Sequence, residues 1–550
     1  MVKELKRYIL IAIFVAINMV IFFNVNYAIN LKSYSNSNLV IYGENIKTDY
    51  APFVENGGIY ISVDTISKLV DEDIFYDKVA TKVIITTDLD VIKLKVDENK
   101  ISKNMEYSDI STPAKLINGQ PYIDINLVKD IYDIKIEYNE KTNTISLDKK
   151  DTTDINLKYN KVFVYSNLNT NSNVLQILNK SNTVTVYTES LKHARWYKVK
   201  TDSGVVGYIS KNNIDANLIN QMNTEENKTG ADKTALNTAS KFSMFWQYGS
   251  NTDVLGTTKL DGVGIVSPTW YELKNLNGQI SSKYSREYYN QAKNLGYKVW
   301  PIITNGIDSA NYSASDTSAM VNSEYNREQF IKNLLQICKT DGIDGINVDF
   351  EAMKEEDKYL YTQLIKELTP IFRRANITVS VDMYFVSYID RAGVGKAADY
   401  VVLMGYDQRG AWSTEPGSIS EVSWVEGNVN SLIKDSKISS NKIILGVPFY
   451  TRLWTVKNGE EKPTTKVYTM QDCATFVKEN NLTPVWDEDA GQNYVQITKG
   501  DVTYKLWIED ENSIKKRVET VNKYNLAGIT GWRKGFETSN IWSVIKENLK

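Results

Sequence analysis

From Phe242 onward, short apolar runs of strand length alternate with stretches of helical period, and this alternation leaves few folds open. The strand-like runs cover residues 242–248, 262–267, 298–304, 345–351, 378–382, 400–404, 442–447 and 528–532. Strand followed by helix, repeated, predicts parallel pairing with the helices outside. Eight such units are the number that closes a β/α barrel. The stretch between Arg452 and Tyr504 is too long for a simple loop; residues 469–481 read as a helix, and 485–486 and 494–497 as strands.

One of these runs carries chemistry. In Asp341-Gly342-Ile343-Asp344-Gly345-Ile346-Asn347-Val348-Asp349-Phe350-Glu351, polar and apolar residues alternate toward the end. Read as a strand, Asn347, Asp349 and Glu351 share one face, and Val348 and Phe350 the other. A row of polar side chains inside a fold is costly unless its members satisfy one another or do chemistry. The spacing fits an acid catalyst with a helper carboxylate one step behind it. A calcium loop of the EF-hand type is the competing reading, but its register of alternate ligands, a glycine and a final glutamate is missing. No metal and no cofactor are expected.

Composition removes other classes. The 550 residues include 64 basic and 67 acidic side chains, a near balance that gives no polyanion-binding character, so nucleic acid is not an expected partner. The one histidine, His193, precedes the barrel pattern. Histidine-dependent nucleophilic hydrolysis and histidine-ligated zinc are thereby excluded there, and carboxylate chemistry remains. Cys338 and Cys473 have no paired spacing and indicate neither a disulfide framework nor a redox motif.

The remaining chain divides by pattern. Residues 1–28 hold Lys3, Lys6 and Arg7, an apolar run, and a small residue at Ala28, as in a secretory signal. Export is the reading taken, and retention as a membrane anchor is the alternative. Residues 38–150 repeat at an offset of 62: Asn56-Gly57 recurs as Asn118-Gly119, Tyr60 as Tyr122, Ile61 as Ile123 and Tyr76 as Tyr138. Each copy reads as a strand, a helix (63–70 and 125–131) and a hairpin. Residues 155–217 contain two alternating strands around Trp196 and Tyr208, joined by Thr201-Asp202-Ser203-Gly204. Trp196 and Tyr208 either offer a ligand face or, the reading preferred, pack a small barrel. Residues 218–240 are polar and aperiodic, a linker, so the segment 241–550 is expected to fold without what precedes it.

The acid row resembles the fourth-strand motif of glycoside hydrolase family 18, D-G-x-[D/N]-x-D-x-E, through Asp344, Gly345, Asn347, Asp349 and Glu351. Met404-Gly405-Tyr406-Asp407 is similar to that family's sixth-strand motif, Gly446-Val447-Pro448-Phe449-Tyr450-Thr451-Arg452 to its seventh, and Gly528-Ile529-Thr530-Gly531-Trp532 to its eighth. The resemblance covers the chain from about Lys241 to the C-terminus. Residues 38–150 resemble the duplicated N-terminal domain of copper amine oxidases, without a histidine or methionine cluster suited to copper, and 155–217 resemble the bacterial SH3-like fold. The fold implied is multidomain: a TIM-type (β/α)8 barrel with a small α+β insertion at about 453–504, preceded by a duplicated α+β domain and an SH3-like β-barrel.

The resemblance implies a retaining, substrate-assisted glycosidase. The acetamide of the substrate's own N-acetyl sugar attacks the anomeric carbon and gives an oxazolinium intermediate. Glu351 would be the acid/base, Asp349 the acetamide partner, and Tyr406 a hydrogen-bond donor to the acetamide oxygen. Asp344, Asn347, Met404, Asp407, Tyr450, Arg452 and Trp532 would bind or shape the sugar site. Asn347 stands where Asp is more common, and losing that like charge is expected to ease ionisation of Asp349. Attachment to wall-type modules, and likeness to the spore and cell-wall lytic branch, imply an endo-β-N-acetylglucosaminidase acting on peptidoglycan of the wall or spore cortex. Chitin hydrolysis is the first alternative and a non-catalytic, lectin-like wall-binding protein the second. The retained Glu351 argues for an enzyme.

Overall fold

The computed structural model describes residues 36–150, 152, 154–187, 193–215, 241–249, 255–306 and 314–550. The amino-terminal segment 1–28 and the linker 218–240 lie outside the described residues. Among the described residues, no helix is long and apolar enough to cross a membrane. The chain forms two compact units. One comprises Met1–Tyr76, Leu94–Lys100 and Asp109–Ala231, the other Asp77–Lys93, Ile101–Ser108 and Asp232–Lys550.

In the first unit the internal repeat becomes two matched hairpins. Phe53–Glu55 pairs with Gly58–Ser62, and Lys115–Ile117 with Gln120–Asp124. Asn56-Gly57 and Asn118-Gly119 all take positive φ at the turns, as two-residue hairpin loops of this sequence require. The inner strands of the two hairpins then pair antiparallel, with Ile61 opposite Ile123, so the two copies face each other. Beyond the hairpins the copies diverge. Ser62 caps a helix, Val63–Leu69, in which Lys68 pairs with Asp64. In the second copy the predicted helix is a single 3₁₀ turn, Ile125–Leu127. There the Asp124 carboxylate is shared among Ile59 N–H, Thr112 and the Asn126 N–H, and closes a tighter turn.

The six strands between Asp154 and Ser210 form one sheet over a core that includes Val162, Val164, Leu178, Tyr197, Val199 and Ile209. Trp196 and Tyr208 alternate out of that core. Trp196 instead packs edge-on against Tyr165, with ring centroids 5.6 Å apart, and Tyr165 lies opposite Tyr208.

The second unit is a closed parallel barrel. Its strands are Phe242–Gln247, Val263–Pro268, a broken third strand, Gly345–Asp349, Thr378–Met383, Tyr400–Met404, Ile443–Pro448 and Gly528–Trp532. The first pairs with both the second and the eighth, which closes the ring. The third is interrupted at Trp300-Pro301: Lys298–Val299 pairs with the second strand and Ile302–Thr304 with the fourth. Proline has no N–H to give a ladder, so a break falls there. After the seventh strand come Tyr450–Lys457, Thr464–Thr469, the helix Met470–Glu479, Val485–Asp487, Gln492–Lys499 and Val502–Ile508. Their five strands make a separate antiparallel sheet, the α+β insertion.

The barrel unit does not begin at the linker. Residues 77–93 and 101–108 belong to it, and a buried ion cluster ties them to two barrel helices, Glu324–Asp341 and Lys358–Arg374. The Lys93 ammonium lies 2.6 Å from Glu324, 2.8 Å from Glu328 and 3.1 Å from Glu367. Arg327 bridges Asp77 at 3.0 Å and Glu367 at 3.1 Å. A barrel cut free at Ser240 would leave Glu324 and Glu367 without Lys93, and Arg327 without Asp77, contrary to the expectation of independence.

Burial alone would push the Glu324 carboxyl up, but the Lys93 and Lys82 ammoniums overcome it and hold Glu324 down to about 2, against an ordinary value of 4.5. Its folded pKa is depressed, so the stability it contributes is present above pH ~4.5 and is lost as the pH falls toward ~2. Lys93→Met is expected to cost about 3–5 kcal/mol at neutral pH, the range for breaking a buried ion pair from one side. Urea unfolding, followed at neutral pH and at pH ~3, checks both the loss and its shrinkage in acid.

Candidate active site

The fourth, fifth and sixth barrel strands deliver the acidic centre, on their inward faces or just past their ends. In Gly345–Asp349 the side chains of Ile346 and Val348 are fully buried, and Asn347 and Asp349 occupy the opposite parity, toward the barrel axis. The strand ends at Asp349, so Glu351 stands just past it at the carboxyl-terminal rim, where its side chain keeps access to solvent. The two carboxyls stand close enough to act on each other electrostatically. Burial raises Asp349 well above the usual carboxylate range, and the nearby Glu351 and Asp382 carboxyls add to it. Glu351 is also raised, by burial of its carboxyl first, with Asp349 opposing and Asp407 adding to it.

The backbone at Glu351 is fixed from the third strand. Asn305, 1 % exposed, accepts the Glu351 N–H at 3.0 Å and the Ala352 N–H at 3.2 Å through Oδ1. Its Nδ2 donates to Thr317 Oγ1 and to the Ala352 carbonyl, both at 2.9 Å, which sets the amide's orientation.

Asn347 is fully buried beneath the acids, too deep to meet a substrate. Its Oδ1 accepts the Trp246 indole N–H at 2.7 Å and its Nδ2 donates to Asp382 at 2.6 Å. Asn347 leaves its own strand one carboxyl fewer, and Asp382, from the fifth strand, brings another beside it. Met404 is likewise interior, in a cluster with Trp246, Tyr406 and Tyr450. Asp344 is not brought to the site at all. It precedes the strand, at the opposite end of the barrel from Glu351, where it pairs with Lys293 at 2.9 Å and accepts the Val299 N–H at 2.8 Å.

The other expected residues do converge. Tyr406 comes just after the sixth strand, 4 % exposed, its ring edge-on to Trp246, Tyr384 and Tyr450. Tyr450 donates its hydroxyl to Asp407 at 2.7 Å, and an Arg452 nitrogen lies 3.9 Å from the same oxygen. Burial raises Asp407, with Tyr450 and Arg452 opposing. Arg452 also donates to Thr465 at 3.2 Å, so the insertion is tied to the rim. Trp532 ends the eighth strand, half-buried, with Trp246 and Tyr248 edge-on at 5.8 and 6.3 Å. Among the described residues, no group of three or more His, Cys, Asp or Glu is placed to hold a metal ion.

Four residues of the site were not anticipated: Trp246, Asn305, Asp382 and Tyr384. Each lies at or just past the end of a strand the sequence did reveal, which was the available signal. What was missing was the knowledge of which strand ends meet across the ring.

Asn305→Ala is expected to lower kcat about 10²-fold with little change in KM, the scale set by misplacing a reacting group by an ångström. Steady-state kinetics on the substrate the wild type cuts, beside a thermal unfolding curve, separate this from simple loss of fold.

Comparison with known proteins bears on the family and the fold. Residues 148–536 match the family model described as Glycosyl hydrolases family 18, and residues 40–147 that of the Copper amine oxidase N-terminal domain. The chain is 26 % identical over 286 residues to the uncharacterized glycosylase YvbX of Bacillus subtilis, covering 50 % of this chain and 81 % of that one. It is 23 % identical over 262 residues to the cortical fragment-lytic enzyme of Bacillus subtilis, covering 45 % of this chain but 59 % of that one. The spore cortex-lytic enzyme SleL of Bacillus megaterium QM B1551 shares the fold, with a TM-score of 0.50 and 20 % identity over 56 % of this chain and 74 % of that one. A closed barrel, matched by a family model over most of the chain, makes this a member of the glycosyl hydrolases of family 18, carrying a copper amine oxidase N-terminal domain ahead of its barrel.

Proposed function

We propose that the chain is a retaining endo-β-N-acetylglucosaminidase that hydrolyses bacterial peptidoglycan, of the wall or the spore cortex, by substrate-assisted catalysis. The observation that carries this reading is the placement of Asp349, buried at the end of the fourth strand, one step behind Glu351 at the rim. Inverting glycosidases hold their two carboxyls roughly 6.5–9.5 Å apart to admit a water. Asp349, 3 % exposed, is too deep to hold such a water or to attack the sugar itself, so the nucleophile comes from elsewhere. The 2-acetamido group of the substrate supplies one.

In this scheme Glu351 donates its proton to the glycosidic oxygen as the bond from that oxygen to the anomeric carbon breaks. The acetamide oxygen forms the new bond to the anomeric carbon, and positive charge appears on the acetamide nitrogen. The Asp349 carboxylate accepts the N–H of that group and stabilises the charge, while Tyr406 donates to the acetamide oxygen. Water then attacks the anomeric carbon, gives a proton back to Glu351, and the acetamide is released with configuration retained. A raised pKa suits Glu351 to this part, since it keeps its proton closer to neutral pH than an ordinary glutamate. Trp532 offers an apolar floor for the sugar, and Asp407, held by Tyr450 and Arg452, a polar wall.

The relatives named for cortical fragments and spore cortex support a wall glycan as substrate and a secreted or wall-associated location. Product analysis on purified peptidoglycan and on chitin oligomers tests the proposal. New reducing-end N-acetylglucosamine from peptidoglycan, first appearing as the β anomer, is expected. Cleavage of chitin alone would make the enzyme a chitinase, and binding without cleavage a lectin. Glu351→Gln is expected to lower turnover by at least about 10²–10⁴-fold while oligosaccharide binding, read by calorimetry, stays near the wild-type level. Turnover within a few-fold of wild type would remove Glu351 from this role.

A further inference from the structure

One buried carboxyl at the barrel mouth has no part in that scheme. Asp382 lies on the fifth strand, Thr378–Met383, which runs parallel to the fourth with Asn347 opposite Ser380 and Val348 opposite Val381. Continuing that register by one residue sets Asp349 beside Asp382, both on the inward parity and both 3 % exposed. Neighbouring strands run about 4.8 Å apart. Two carboxyls so placed, out of water, do not both stay ionised.

The surrounding groups decide where the proton goes. An indole N–H only donates, so Trp246 obliges Asn347 to turn Oδ1 toward it and Nδ2 toward Asp382 Oδ1. One oxygen of Asp382 is thus engaged as an acceptor, and the other is left for a proton. Asp349 Oδ1 is buried with no hydrogen-bond partner in the structure. The other titratable groups that face the pair are Glu351 past the fourth strand, Tyr361 from the helix Lys358–Arg374, Tyr384 and Tyr388 past the fifth strand, and Tyr406 past the sixth. Burial raises Asp382 well above the ordinary aspartate value, with Asn347 opposing and Glu351 adding to it.

We infer that Asp382 is a positioning residue that works as a neutral acid, holding the proton that would otherwise sit on Asp349 and donating it as a hydrogen bond to the Asp349 anion. This rests on the reading that Asp349 and Glu351 carry the reaction. The row then holds two protons, on Asp382 and Glu351, and one negative charge on Asp349. That charge is already in place when the acetamide becomes cationic. The proton of Asp382 stays within the pair throughout the cycle and is not exchanged with the sugar.

The test uses the full chain and compares Asp382→Asn, Asp382→Ala and Glu351→Gln on solubilised peptidoglycan strands or chitin tetrasaccharide, whichever the wild type cuts. Asparagine also accepts from Asn347 and donates toward Asp349, so Asp382→Asn is expected to keep kcat within about tenfold and to keep the acid limb of its pH profile. Alanine removes the donor, so in Asp382→Ala the acid limb moves up by about one pH unit, as Asp349 takes the proton more readily. At neutral pH, Asp382→Asn should lose one protonated-carboxyl C=O band in infrared difference spectra against the wild type. That readout stands even if the alanine variant does not fold. Asp382→Asn as inactive as Asp382→Ala, an acid limb unmoved in Asp382→Ala, or an unchanged carboxyl band would each overturn the inference. Wild-type turnover in Glu351→Gln would instead overturn the catalytic reading beneath it.

Discussion

Water is kept from the carboxyls inside this barrel, and the chemistry of the site depends on that exclusion. Asp349 and Asp382 are almost fully buried, and Glu351 is crowded at its carboxyl while open at the rim. Desolvation is the first cause of the raised pKa at all three. In water these groups would be separate ionised carboxylates near their ordinary values. Behind a wall of Trp246, Tyr406 and Tyr384, burial disfavours the charged form of each.

Several of the polar groups around this row are held in place by one another. Asn347 uses both ends of its amide on Trp246 and Asp382, and Asn305 uses its own on the backbone at Glu351 and on Thr317. Neither residue reaches the mouth. Their contribution is geometric: they fix where the acids point, so the substrate does not have to organise them. The Tyr450–Asp407–Arg452–Thr465 chain does the same for the opposite wall and links it to the insertion.

Charge also fixes the limits of the catalytic unit. Lys93 and Asp77 are distant in sequence from Glu324, Arg327 and Glu367, yet they neutralise one another out of water. Buried ions without partners are strongly destabilising, so the barrel helices and residues 77–93 are bound by mutual need. A polar linker in the sequence is therefore a poor guide to where this unit starts.

The sequence by itself determined the barrel. Strand-length apolar runs with helical patterns between them leave one closed solution, and the observed strands fall within a residue or two of the expected ones, save where Pro301 breaks the third. Alternation in a strand is local, so it also revealed that Asn347 and Asp349 share a face. The Asn-Gly turns of the duplicated domain were legible for the same reason, since positive φ is a property of the residue pair. What a residue meets across the ring is not local. Asn347 and Met404 fell into the interior, Asp344 at the far end, and Asp382 beside Asp349, because strand register and barrel closure set those neighbours. Only the tertiary structure decided them, as it decided that Lys93 belongs with the barrel, because desolvation and ion pairing act between groups the chain brings together only when it folds.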